Sequence, residues 1–221
     1  MMEHQNQQAI LLSTAYFPPV QYFSKWLLFD KIYIEQHENF IKQTFRNRCE
    51  VLGANGTIPL VVPVVKGRKK KIPIKDLQIS YDTAWQRNHW RTVFSAYNSS
   101  PFFEFYQDDI HAFFEKKWKY LFDFNLSIME TLLELLELEN KPLTTSGFEE
   151  VPPGTSNFRE ILTPKKHKAP DDSQFHPQPY TQVFSAKFGF ITNLSILDLL
   201  FNEGPNSMMV LENSCRKGQS D

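Results

Sequence analysis

The chain has 221 residues, 41% hydrophobic, 22% charged and 14% aromatic, with 24 basic against 25 acidic side chains and a formal net charge of -1. This is enough apolar material for a core of domain size and too little polarity for general disorder. The even balance argues against the broad basic surface of a nucleic-acid binder, so any anion site must be local.

Ala9–Ser13 (AILLS) reads as a buried strand. Pro18-Pro19 opens a helix in which Val20, Phe23 and Trp26 recur at helical spacing, and KIYIEQ (31–36) is a second strand. Strand, helix and strand within about 30 residues is the size of a parallel βαβ unit. Asn55-Gly56 then signals a hairpin. Pairing outward from it sets Ala54 against Thr57, Val51 against Leu60, Cys49 against Val62 and Asn47 against Val64. KGRKKK (66–71) is expected to be a solvated loop, and IPIKDLQIS (72–80) a weak strand.

From Asp82 the pattern is helical, with Asp82 or Thr83 as cap and Trp85 and His89 on one stripe. Pro101 interrupts it, and residues 102–124 form a second, aromatic-rich helical stretch with one break. NLSIMETLLELLELE (125–139) is amphipathic, with Ser127 and Glu130 at capping-box spacing. KPLTTSG (141–147) is a short strand, and 146–180 a long irregular loop. SILDLLFNE carries a second capping-box spacing, Ser195 to Asp198, before a Gly204-Pro205 stop. The expectation is one α/β domain over 9–204, with a small mixed sheet, a β-hairpin, a helix-rich second half and a flexible tail over 205–221. A HUP- or Rossmann-like first half is a fold analogy from the βαβ order alone.

Cys49 and Cys215 make neither a disulfide framework nor a CxxC zinc motif, and no helical His pair suggests a metal. No apolar run reaches the roughly 20 residues of a membrane span. No basic start with an apolar core suggests a secretion signal, so a cytoplasmic protein is expected. GxGxxG and GxxxxGK[ST] are absent from the sequence, so neither a Rossmann fingerprint nor a P-loop is present, and the sequence leaves the cofactor unknown.

On an extended arm Lys42, Arg46 and Arg48 share one face, with Asn47 opposite. They read either as a clamp for a phosphate or carboxylate, or as a solvated face paired with Glu35, Glu38 or Glu50. Tyr16, Pro18, Gln21 and Tyr22 stand where the first strand hands over to the first helix, either a ligand-binding turn or an aromatic turn packed in the core. His89 is a candidate general base or a hydrogen-bonded structural residue, and Glu35 a candidate catalytic carboxylate on the rim.

Several stretches together resemble the WbqC-like proteins of bacteria, closest to the form found in Bacteroidetes. They are LLSTAYFPPVQYF, IEQHENFIKQTFRNRCEV, WQRNHWRTVFSAYNSSPFFEFY, LFDFNLSIMETLLEL and SILDLLFNEGP, spread over most of residues 10 to 204. A Gln-Pro-x-Tyr-x-Pro pattern common in that family falls on Ser13 to Pro18, keeping Tyr16 and Pro18 but not the Gln. A Lys-x-x-x-Arg-Asn-Arg pattern falls on Lys42, Arg46, Asn47 and Arg48. The resemblance implies surface-polysaccharide (O-antigen-type) or nucleotide-sugar metabolism, with acyl or aminoacyl transfer to an activated sugar as the suspected chemistry. The implied ligand is a small anionic or phosphorylated metabolite. A non-catalytic scaffold with a protein partner is the alternative.

Overall fold

The structure is a computed structural model that describes residues 9–65, 71–148, 154–164 and 172–215. Alternating side chains start the fold. In β1 (Ala9–Ser13) Ile10 and Leu12 enter the main core, while Leu11 is buried outside it. After helix α1 (Val20–Leu28), β2 (Ile32–Glu35) repeats the pattern, with Ile32 and Ile34 in the core. The two strands are parallel, Ile10 opposite Ile32 and Leu12 opposite Ile34, so the βαβ expectation holds.

The hairpin forms from β3 (Arg48–Gly53) and β4 (Gly56–Val61), but its register differs from the expected one. Val51 meets Ile58 and Cys49 meets Leu60, so the turn is centred on Ala54-Asn55. Both centre residues keep negative φ, and Gly56 one position later has φ 113. The Asn-Gly pair therefore straddles the turn's end, where type I turns favour glycine, and does not form a primed turn. Shifting the turn by one residue moves each partner by two, so Cys49, Val51 and Leu60 still face the core.

Residues 72–80 are not a strand. Pro73 leads into one 3-10 turn, Ile74–Asp76, and isolated bridges tie Asn39 to Pro73 and Gln78 to Tyr120. Helices α2 (Trp85–Tyr97), α3 (Phe103–Glu115) and α4 (Leu121–Leu135) follow; the break around Pro101 is where it was expected, and the aromatic stretch is broken once, between Glu115 and Leu121. The caps of α2 and α4 are not where they were expected. Asp82 accepts from Ser80 instead of capping α2, and Ser127 lies inside α4, which begins six residues earlier.

Two short strands complete the main sheet: β5 (Leu143–Thr144) and, inside the expected loop, β6 (Thr155–Asn157). All pairings are parallel, in the order β5-β2-β1-β6. The chain leaves β1 toward β2 on one side and returns to its other side as β6, which makes the β1–β6 boundary a topological switch point. A single turn α5 (Ser185–Phe188) and helix α6 (Ile196–Glu203) follow. Residues 207–215, part of the expected tail, instead form helix α7 (Ser207–Cys215), which packs against α1 and buries Val210 and Leu211. The rest of the basic loop, 66–70, lies outside the described residues.

Candidate functional site

The carboxyl ends of four parallel strands gather polar side chains that their alternation cannot bury in the core. Glu35 ends β2 with its carboxylate almost fully enclosed: Oε1 accepts from the His37 backbone N–H at 2.7 Å and from Thr145 Oγ1 at 2.9 Å. Oε2 pairs with Arg159 Nη1 at 3.3 Å. Arg159 follows β6, is 14% exposed, donates from Nε to Asn157 Oδ1 at 3.1 Å, and stacks its guanidinium 5.2 Å from the Phe148 ring. Beside it opens a cavity of about 460 Å³ lined by Glu38, Asn39, Ile41, Phe148, Asn157 and Arg159. That volume is in the range of small-molecule sites, and its place at the switch point is where open α/β sheets bind ligands.

The three cations of the 38–51 stretch do not gather. The chain from Phe40 to Asn47 is a loop, with Gln43 at φ 59, so the alternation of an extended arm never applies. Arg46 turns inward and is buried. Its Nε and Nη2 grip both oxygens of Glu38 at 2.8 and 2.6 Å, and Nη2 also reaches Ser13 Oγ at 2.7 Å. Arg48 pairs with its neighbour Glu50 at 2.6 Å on the hairpin, and Lys42 is exposed, next to Ile41 on the cavity rim. Asn47 is buried, donating from Nδ2 to the Val62 carbonyl at 2.8 Å, which extends the hairpin by one rung. The guanidinium that reaches the sheet edge is thus already neutralised by a bidentate carboxylate.

The turn after β1 is packed into the core. Tyr16, Phe17 and Pro18 are buried, and Phe17 holds φ 37, a strained value for a bulky residue that neighbouring rings enforce: Tyr16 at 4.9 Å and Phe114 at 5.9 Å. The N-terminus of α1 offers little to an anion: Val20 N–H bonds to Leu194 O and Gln21 N–H to Asn193 Oδ1. The Gln21 side chain is spent on Asn193 and on Asp172, which also pairs with the buried Lys25 at 2.6 Å. Tyr22 OH bonds to the Ser13 carbonyl at 2.8 Å.

His89 is remote from the cavity lining. Its Nδ1 lies 3.0 Å from Tyr16 OH, the Val61 backbone hydrogen-bonds the ring, and Trp85 stands 5.1 Å away. Burial raises the Tyr16 phenol, so it stays protonated and donates to Nδ1. Burial likewise pushes the His89 imidazole down to about 4, leaving it neutral near pH 7. Of the two groups put forward for catalysis, only Glu35 stands at the sheet edge. Arg159, Asn157 and Phe148 are the lining groups that the sequence reading missed. Asn157 ends, and Arg159 follows, a strand of three polar residues without the apolar run that marks a strand, and Phe148 lies in the loop before it.

The site contributes carboxylate acceptors, a guanidinium donor and one aromatic face, arranged for a polar organic ligand. Among the described residues no group of three or more His, Cys, Asp or Glu could hold a metal ion, and no helix is long and apolar enough to cross a membrane. Fold and site together define an α/β protein with a small parallel sheet and a polar cavity at its carboxyl edge. The sequence over residues 14–169, from the end of β1 past Arg159, matches the WbqC-like protein family, and the chain belongs to that family. No curated protein and no solved structure matches the chain.

Proposed function

We propose that the chain handles an activated sugar in bacterial surface-polysaccharide or nucleotide-sugar metabolism, taking the sugar ring into the cavity beyond β1 and β6. The observation that carries this is Arg159, held between Glu35 and the Phe148 ring over the switch point. Carboxylates that accept, a fork that donates and an exposed ring suit the hydroxyls and apolar face of a pyranose. The sugar's phosphate would lie at the mouth, where Lys42 makes no ion pair among the described residues. This replaces the three-cation clamp with one exposed cation at the mouth, since Arg46 and Arg48 already carry carboxylate partners. Acyl or aminoacyl transfer onto such a sugar is the reaction implied by the family resemblance. In it, Glu35, which already accepts three hydrogen bonds, positions Arg159 and does not act as a base.

The test is calorimetric titration and thermal shift with a panel of nucleotide-sugars and sugar 1-phosphates. Arg159→Gln is expected to abolish the ligand-induced shift while the unliganded melting temperature moves little. Lys42→Ala should weaken phosphorylated ligands and spare free sugars. A panel without hits, or unchanged affinity in Arg159→Gln, would refute the reading. Phe105, 75% exposed on α3, favours a second reading as a scaffold; co-purification of a partner without sugar turnover would support it.

A further inference from the structure

A second cavity, of about 140 Å³, opens on the face of the same sheet turned away from the main core. Its floor is Leu11 and Tyr33, the alternate residues of β1 and β2 that the main core does not take. Its walls carry Thr144, Ser146 and Thr155, whose hydroxyls meet no hydrogen-bond partner among the described residues. Glu35, buried and already bonded to His37, Thr145 and Arg159, is the acidic side chain lining it. Arg159 lines the larger cavity and Glu35 the smaller, so their 3.3 Å contact stands between the two.

We infer that this cavity is a second subsite, for a compact uncharged organic group with one apolar face and one or two hydrogen-bonding atoms. The volume corresponds to roughly five water molecules of liquid, enough for a short chain and too small for a sugar ring with its substituents. The floor supplies the apolar contact and the unpaired hydroxyls supply both donors and acceptors. An anion is selected against because no Lys, Arg or His lines the cavity and Arg159 is already paired with Glu35, so a ligand charge would be partly desolvated without a partner of its own. The two cavities then form one bipartite site, with the Glu35–Arg159 pair as its partition. This rests on the activated-sugar reading only for the identity of the first occupant.

The experiment follows backbone amide shifts of the full chain during titration with propionamide and, separately, with propionate, its isosteric anion. Propionamide is expected to move the amides of Leu11, Tyr33 and Thr144 to Gly147, with propionate weaker by about tenfold or more. Thr155→Phe and Thr144→Phe, substitutions at strand-edge positions open enough to keep the fold, should each abolish that response. Equal response to both probes, or propionamide shifts confined to residues around Asn157, would overturn the subsite. Glucose 1-phosphate, titrated in parallel, reports the larger cavity. Failure there with propionamide still bound refutes the sugar reading and leaves the second subsite standing.

Discussion

Asp198 allows a quantitative test of the packing that holds α6. It lies in the first turn of that helix, where a capping-box role would send its carboxylate back to the Ser195 N–H. That N–H instead bonds to Glu50 O at 2.8 Å, and the carboxylate faces inward. Its Oδ2 accepts from Tyr180 OH at 2.7 Å and Gln182 Nε2 at 2.8 Å, while Oδ1 is buried without a hydrogen bond, although the Tyr97 hydroxyl is close enough to favour the charge. Desolvation outweighs these donors and raises the carboxyl from 3.8 to about 6. At 1.36 kcal/mol per pKa unit, holding the charged form costs about 3 kcal/mol above pH 6. The folded state therefore binds the proton more tightly than the unfolded chain. This group's favourable contribution is complete below about pH 4 and is lost as pH rises through about 6.

His89 acts in the opposite sense over the same window. Its imidazole falls from 6.5 to about 4, so the native state loses about 3 kcal/mol as pH drops from above 6.5 to below 4. In the wild type the two slopes largely cancel. Asp198→Asn keeps the shape and both acceptor bonds, places an amide donor toward Tyr97, and removes only the titration. Urea unfolding midpoints between pH 4.5 and 8 should show the variant more stable than wild type by about 2–3 kcal/mol at pH 7.5. The gain should shrink steadily on acidification, exposing the His89 slope. A difference that is flat across this range, or a variant less stable at pH 7.5, would refute the argument that desolvation dominates this carboxyl.

Further substitutions separate the cations of the 38–51 stretch. Arg46→Ala leaves Glu38 buried and unpaired and should cost about 3–5 kcal/mol in urea unfolding, whereas the partly exposed Arg48–Glu50 pair should cost about 1 kcal/mol or less in Arg48→Ala. Gly204→Ala should lower stability by roughly 1–3 kcal/mol, because φ is 52 there and the added Cβ would meet the Phe102 ring at 2.5 Å; calorimetric melting reads it directly. Leu11 should keep its packing in all three, so the propionamide response should persist wherever the fold does.

What could be read from the sequence followed from local periodicity. The β1–α1–β2 unit, the hairpin and α2, α3, α4 and α6 each carry an apolar repeat of two or 3.6 that fixes which face is buried. The misses have other physics. β6 has no apolar repeat because it is three residues long and completes a sheet edge begun almost 150 residues earlier. α7 has apolar residues but no clear apolar stripe at helical spacing, and it packs on α1. Of the two capping-box spacings, Ser127 and Glu130 lie already inside a helix, whereas Ser195 does cap α6, its Oγ accepting from Leu197 N–H, and only the reciprocal Asp198 bond is lost, to Tyr180 and Gln182. Arg48 and Lys42 looked equivalent to Arg46 only on an extended arm, and the left-handed Gln43 breaks that arm.

The two guanidiniums at the sheet edge are not held alike, and that difference decides which can respond to a ligand. Arg46 makes two short contacts with Glu38 and one with Ser13, while Asn125 Nδ2 holds its backbone carbonyl at 2.7 Å; moving it would strand a buried carboxylate. Arg159 meets Glu35 through one 3.3 Å contact, and Glu35 keeps Thr145 and the His37 N–H if that contact opens. Turning Arg159 away from Glu35 gives up one 3.3 Å contact and leaves the buried carboxylate two donors, whereas turning Arg46 away gives up a bidentate pair and leaves Glu38 with none of its guanidinium bonds. On the activated-sugar proposal, a ligand hydroxyl entering the larger cavity would exchange for Glu35 on Arg159 while Glu35 keeps its bonds from Thr145 and the His37 N–H. Arg46 instead fixes the loop that carries Glu38 and Ile41 to the cavity rim.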